Sequence, residues 1–236
     1  MLEFNLKKKQ ARKELYYKKN NFVAELGIEI INKKTDLILH KPNSSILSDE
    51  RLKVKNSSSN DFIINDVDLI FEKGKKVDAF ICNFDLQILL VNNPKSFYKN
   101  IYEILNKNGF LCFNLITHNS FVTLKKIFYE IDENLFQGSY RRFGPFHDIQ
   151  NTIEKLNNYN FKETVVSTDN IELNYNSLKK MRNDFKEFGI SNYYNDKIKF
   201  KKDFYFKTNQ VFEKIIKKNS YFPIELEIAT FTTWKI

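Results

Sequence analysis

Amphipathic segments alternate with short apolar runs along most of the chain. The helical spacing of apolar residues predicts one or two amphipathic helices within residues 6–31. Residues 35–39 form an apolar run that ends before a polar loop at 40–43, a pattern typical of a buried strand. We therefore expect helices at the start of the chain and the first sheet strand directly after them.

The next stretch has a less regular pattern. The pattern predicts two helical turns at 44–51, a short strand at 52–55 and a polar, linker-like loop at 56–60. Two further strands are predicted at 61–65 and 77–82, with a charged turn between them.

A helix between two strands is the clearest unit in the sequence. Pro94 suits the first turn of a helix, and the apolar residues after it fall on one face before Asn108 and Gly109 end it. Residues 110–116 are nearly all apolar, as expected of a central parallel strand covered on both faces. Together with the strand at 77–82, this order predicts a right-handed crossover.

The alternation continues to the end of the chain. Helices are predicted at 121–131, 148–157, 177–188 and 207–218, and strands at 161–174 and 224–235. Asp148 is placed to cap its helix, and the first of these strands has a predicted break near Asp169. This order predicts an α/β fold, and 236 residues suit a single domain.

Composition narrows the class of protein. Hydrophobic residues make up 42% of the chain, which is enough apolar surface for a folded core. The net charge is +9, but no arginine-rich block or aromatic-basic motif accompanies it, so nucleic-acid binding is not predicted. Cys82 and Cys112 lie in separate apolar runs and predict buried, reduced thiols. We recognise no transmembrane segment or signal peptide, and we expect a cytoplasmic protein.

The histidines do not indicate a metal site. His40, His118 and His147 show no spacing typical of metal ligands. We therefore predict no metal and expect ordinary loop or surface positions for all three.

Several motifs follow the pattern of one known family. VDAFICN followed by PKSFYKNIYEILNKNGFLCF, the opening LKKKQARKE and the ending FTTWK are three of them. Matching positions in the C-terminal half are Pro145, Phe146, Phe161, Thr168, Asp169, Ile171, Tyr175, Met181, Gly189 and Asn192. On these residues the chain resembles class I (type 11) S-adenosylmethionine-dependent methyltransferases. The similarity is to the branch with the biotin-pathway malonyl carrier-protein methyltransferase and the methyltransferase-like mitochondrial complex I assembly factor.

The resemblance implies a fold and a division of the chain. It implies a Rossmann-like α/β sheet of seven strands, mostly parallel with an antiparallel C-terminal strand, with helices on both faces and a shortened first half. Within one domain, 1–236, residues 1–33 would form an N-terminal helical cap. Residues 34–118 would form a degenerate donor-binding half, and 119–236 a C-terminal half with lid helices.

The resemblance also assigns the first part of a donor site. In the family, a glycine-rich loop after the first strand lets the backbone approach the methyl donor. If Asp36 begins this motif, bulkier residues, including His40 and Pro42, occupy the glycine positions, and Pro42 also removes an amide donor. Asp36, Leu39 and His40 are the candidate donor contacts in this loop.

Further candidates follow the later strands. Asp66, with Val67 beside it, matches the family's adenine-binding position, although an ordinary loop or capping carboxylate is an equally open interpretation. Asn83 and Phe84 follow the strand at 77–82, where the resemblance implies that donor and substrate meet.

A loop in the C-terminal half supplies the candidate substrate residues. Tyr140, Arg141 and Arg142 lie where this family closes over its substrate, and two arginines suit a carboxylate or phosphate. Tyr175 belongs to the same predicted lid. A solvated basic loop and packed aromatic residues are the alternative interpretations.

Two functions remain open at this stage. The resemblance predicts methyl transfer from S-adenosylmethionine to a small-molecule or protein acceptor that the sequence does not identify, and no catalytic residue is assigned. The alternative is an inactive assembly or interaction protein, or an arginine hydroxylase-type factor, with a respiratory complex I subunit as partner.

Overall fold

The chain divides into two compact units, each built from separate segments. The structure is a computed structural model that describes residues 21–39, 41–54, 61–64, 76–92, 94–188 and 202–236. The sheet unit comprises Phe22–Thr117, Phe146–Asp169 and Ile228–Ile236. The helical unit comprises Met1–Asn21, His118–Pro145 and Asn170–Glu227. The expectation of one domain with three parts stays a prediction.

Strands and helices alternate through the described residues. The helices are α1 (Phe22–Thr35), α2 (Leu86–Asn92), α3 (Pro94–Ile104), α4 (Val122–Phe136), α5 (Ile149–Asn158), α6 (Leu178–Phe188) and α7 (Lys202–Asn219). The strands are β1 (Ser45–Leu47), β2 (Asp61–Ile63), β3 (Val77–Asn83), β4 (Leu105–Ile116), β5 (Lys162–Tyr175) and β6 (Phe222–Trp234).

These six strands form one sheet in the order β2-β1-β3-β4-β6-β5. The pairs β1–β2, β1–β3 and β3–β4 are parallel, and β6 runs antiparallel to β4 with Phe110 opposite Trp234. The α/β fold with a mostly parallel sheet and an antiparallel C-terminal strand is therefore confirmed. The described residues form six strands rather than the expected seven.

Both faces of the central strands are buried. Helix α1 places Ile28 and Ile31 against Leu47, Ile81 and Cys112 on one face. Because side chains alternate along a strand, their neighbours Phe80 and Leu111 point to the opposite face, and both are fully buried. The near-continuous apolar sequence of β3 and β4 follows from this double burial.

The first strand lies later in the chain than the sequence predicts. Residues 35–39 are not a strand: α1 continues to Thr35, and the N–H groups of Asp36 and Leu37 donate to carbonyls of its last turn. Leu37 and Leu39 are largely exposed, so the apolar run does not report burial. The predicted helical turns at 44–51 are also wrong, because Ser45–Leu47 forms β1.

Most other predicted elements are confirmed, with shifted boundaries. Asp148 caps α5 through a 2.7 Å bond from the Asn151 N–H to its Oδ1. The predicted break near Asp169 is wrong, since β5 is continuous from Lys162 to Tyr175. Helix α3 ends at Ile104, before the predicted stop at Asn108.

The thiol prediction is confirmed. Cys82 and Cys112 are fully buried thiols that form no disulfide, and burial raises the pKa of the Cys112 thiol to about 11. None of the helices in the described ranges is long and apolar enough to cross a bilayer.

Candidate functional site

The carboxyl ends of β1 and β3 lie side by side in the sheet unit. The Ser48 N–H donates to the carbonyl of Ile81 at 3.0 Å, and the Asn83 N–H donates to Ser48 Oγ at 3.1 Å. In open α/β sheets, ligands bind outside this edge of the parallel strands. We call this region the carboxyl edge.

Two asparagines connect the carboxyl edge to helix α1. Asn83 Nδ2 donates to the carbonyl of Ala24 at 3.0 Å, and Asn114 Nδ2 donates to that of Gly27 at 3.1 Å. Asn114 Nδ2 also donates to Asn83 Oδ1 at 2.9 Å, while its Oδ1 accepts the Phe84 N–H at 2.7 Å. Asn114 is fully buried and Asn83 is 7% exposed, so these bonds are shielded from water.

Helix α1 approaches so closely that only glycine fits at position 27. A Cβ on Gly27 would overlap Cε2 of Phe84 and Oδ1 of Asn83. Phe84 itself has a left-handed backbone with φ of 57°, which is uncommon for a bulky residue. The bond from its N–H to Asn114 helps to hold this conformation.

The loop after β1 is held by an ion-pair network. Arg51 Nε and its backbone N–H both donate to Asp49 Oδ1 at 2.9 Å, and a terminal guanidinium nitrogen donates to Oδ2 at 2.6 Å. The same guanidinium pairs with Glu25 of α1. Asp49 is buried, and the buried charge is balanced by this bidentate contact. The network fixes a loop, 48–52, that contains no glycine.

The residues predicted for the first donor loop lie before β1, not after it. Asp36 and Leu39 are exposed in the segment that follows α1. Beyond it, the Asn43 N–H donates to Asp78 at the start of β3, which is the amino edge of the sheet. Their assignment to a loop after the first strand therefore has no structural basis.

Three more donor candidates were His40, Asp66 and Val67, and they lie outside the described residues. Asn83 and Phe84 do lie at the carboxyl edge, as the sequence predicts. The structure therefore brings Asn83 and Phe84 together at the carboxyl edge. Three further residues lie there that the sequence interpretation missed: Asn114, Gly27 and Asp49. Asn114 carried a usable signal, because it is the one polar residue in the otherwise apolar run FLCFNLI.

Arg142, a predicted substrate contact, is bound within the helical unit. Its Nε lies 3.1 and 2.9 Å from the two carboxylate oxygens of Asp132, and a second guanidinium nitrogen donates to Oδ1. Both side chains are buried, with exposed fractions of 7% for Arg142 and 1% for Asp132. The guanidinium carbon also lies 3.5 Å from the ring centroid of Phe204, a cation–π contact.

The other predicted lid residues differ in exposure. The Tyr140 N–H donates to Asp132 at 3.2 Å, which ties the loop to the same carboxylate. Arg141 is exposed. Tyr175 is buried, and burial together with the nearby Asp184 carboxylate raises the pKa of its phenol.

His147 is not an ordinary surface histidine. Its imidazole Nε2 lies 2.7 Å from the carbonyl oxygen of Gln87. Its backbone N–H donates to the carbonyl of Ile116 at the end of β4. The Gln87 side chain bonds to both backbone groups of Ile116. Burial lowers the pKa of His147 to about 4, so the imidazole is neutral at pH 7.

Comparisons with known proteins give only distant likenesses. No protein-family model and no curated protein matches the chain. A SAM-dependent methyltransferase from Thermotoga maritima is 12% identical at a TM-score of 0.44, over 93% of this chain and 94% of that one. A cyclopropane synthase from Mycobacterium tuberculosis is 13% identical at 0.44, over 88% and 84%. A SAM-dependent methyltransferase from Archaeoglobus fulgidus is 10% identical at 0.42, over 90% and 94%. The chain is thus similar to solved methyltransferase structures, at values too low to define what it binds.

Proposed function

We propose that the chain is an S-adenosylmethionine-dependent methyltransferase-like protein that transfers a methyl group to an acceptor. The observation that supports this function is the sheet itself. Parallel β1 and β3 end beside each other, and β6 returns antiparallel to β4, as the sequence resemblance implies. The carboxyl edge is where such a sheet binds a nucleotide-like ligand.

The described residues fit the donor only if the first turns of α1 shift. The amide donors of Asn83 and Asn114 are bonded to α1, and the Phe84 ring lies against Gly27. In the proposal, the backbone at Ser48 supports the donor on the β1 side. Asp66 and Val67, outside the described residues, contact its adenine.

The chain's own residues have a limited chemical task. The donor's sulfonium supplies both the methyl group and a neutral leaving group when it is bound. Asn83 and Phe84 would orient the donor and exclude water, so that alignment provides most of the rate. Arg141, exposed in the predicted lid, would contact an anionic group of the acceptor.

The same contacts favour a second candidate, an assembly or interaction module that binds no donor. Helix α1 already satisfies the asparagines at the carboxyl edge, and the loop after β1 has no glycine for close backbone approach. In this case a respiratory complex I subunit remains the partner that the sequence resemblance implies, with arginine hydroxylation as the related activity.

Calorimetric titration of the full chain with S-adenosylmethionine separates the two candidates. Methyltransferase function predicts a saturable heat and a raised melting temperature. Asp66→Ala should weaken binding by about tenfold, which corresponds to one lost hydrogen bond to a charged group. Asp203→Ala, at an exposed position in α7, is the matched control and should bind like the wild type. Absence of heat at millimolar donor would leave the module as the function.

A further inference from the structure

Three sets of contacts hold the first turns of α1 on the carboxyl edge, and we call them the α1 clamp. The first is the bonding of Asn83 and Asn114 to the carbonyls of Ala24 and Gly27. The second is the contact of Gly27 with the Phe84 ring. The third is the ion pair between Glu25 and Arg51.

The asparagine contacts can be released without breaking the helix. The carbonyls of Ala24 and Gly27 lie inside α1, and a carbonyl oxygen has two lone pairs, so it can accept a helical N–H and a side-chain N–H together. Release therefore leaves the helical bonds intact. The amides of Asn83 and Asn114 are the groups that lose a partner.

An oxygen-rich ligand could replace those partners. The two amides donate to backbone oxygens at the edge where parallel strands expose a ligand site. A carboxylate or hydroxyl at the same place would accept the same bonds. The carbonyl oxygens of Ala24 and Gly27 thus occupy the positions that the oxygens of a bound ligand would take.

The rest of α1 is anchored independently. Ile31, one helical turn beyond Gly27, packs in the core against Leu47 and Cys112, and Ile28, directly after Gly27, belongs to the same cluster. Glu25, in contrast, pairs with Arg51 through a partly exposed side chain, and such pairs contribute little. Residues 22–27 also bury Val23 and Ala24, so their release exposes apolar surface and adds this cost to the opening, while Ile31 keeps the rest of the helix packed.

We infer that the first turns of α1 are a built-in competitor for the donor: α1 and S-adenosylmethionine bind the same amides of Asn83 and Asn114, and one excludes the other. This inference rests on the proposed methyltransferase function. The inference assigns Asn114 of β4 as a positioning residue that holds α1 in the closed state and the donor in the open state. Donor affinity is then set by the energy required to open the α1 clamp.

Gly27→Ala tests the competition. The added Cβ clashes with the Phe84 ring and with Asn83 Oδ1, but alanine is a better helix former than glycine, so α1 itself is not weakened. We expect hydrogen exchange of residues 22–31, whose N–H groups lie in the released turns or bond to their carbonyls, to accelerate at least about tenfold, and donor affinity to rise by a similar factor. Glu29→Ala, on the exposed side of α1, is the matched control and should change neither.

A second variant guards against simple misfolding. Gly27→Ala combined with Phe84→Gly removes the ring and suits the left-handed backbone, but the added Cβ still lies against Asn83 Oδ1, so exchange across residues 22–31 should return only part of the way to the wild-type rate. If Gly27→Ala exchanges like the wild type, or opens α1 without tightening donor binding, the competition is refuted while the methyltransferase function stands. If neither the wild type nor Gly27→Ala binds millimolar donor, both proposals fail.

Discussion

The carboxyl edge and the loop around Arg142 were both expected to bind ligands, and both are bound by the protein itself. At the carboxyl edge, neutral amides of Asn83 and Asn114 contact backbone carbonyls of α1. In the helical unit, a charged guanidinium grips the buried Asp132 carboxylate. The neutral contacts can be exchanged for similar bonds to a ligand, whereas the charged pair cannot be opened without leaving a buried charge. The first region is therefore suited to exchange and the second to permanent structure.

The largest expected effect is on the free energy of unfolding when the ion pair between Arg142 and Asp132 is broken. Asp132→Ala leaves the Arg142 guanidinium buried without a carboxylate, and this should lower the free energy of unfolding by about 3 to 5 kcal/mol. Urea unfolding followed by circular dichroism measures it. Lys126→Ala, at an exposed position of α4, is the control and should change stability by no more than about 0.5 kcal/mol. A loss for Asp132→Ala as small as that of the control would show that the pair is not structural.

A smaller loss is expected at the carboxyl edge. Asn114→Ala removes the partners of the Phe84 N–H and of Asn83 Oδ1 and should cost about 2 to 3 kcal/mol of unfolding free energy. Hydrogen exchange should accelerate across α1 more than across α4, which is the local signature of the clamp. Asn119→Ala, an exposed asparagine, is the control. Uniform acceleration in both helices would mean that Asn114 supports the fold in general and not α1.

The sequence predicted the elements with a regular period and missed those that depend on distant partners. Residues 110–116 are apolar because β4 is buried on both faces, so composition alone revealed a central strand. Residues 35–39 looked similar, yet Leu37 and Leu39 are exposed at the end of α1, because a short apolar run carries no information on which element covers it. β1 has only three residues, too few for a period to be read.

The candidate site was harder to predict than the fold for the same reason. The position of Asn83 and Phe84 at the carboxyl edge was predictable because they follow a recognisable strand. The role of Arg142 was misjudged because its partner, Asp132, lies a helix end and a loop away, and charge patterns do not show pairing across a loop. Gly27 is essential because Phe84 and Asn83 both pack on it, contacts that no local pattern reveals.

The smallest expected effect is a difference between the sheet unit and the helical unit in how their stability depends on pH. His147 bonds to Gln87 beside the end of β4, and its pKa falls from 6.5 to about 4 on folding. The folded state thus binds fewer protons between these values, so stability is complete above pH 6.5 and declines as the pH falls toward 4, by at most about 1.4 kcal/mol per pH unit. Hydrogen exchange of α2 and β4 at pH 5 should therefore accelerate more than that of α4, after correction for the intrinsic rate. His147→Gln keeps a neutral donor and should remove this difference, whereas His118→Gln, at an exposed position, should retain it. If the difference survives in His147→Gln, another group of the sheet unit controls its response to acid.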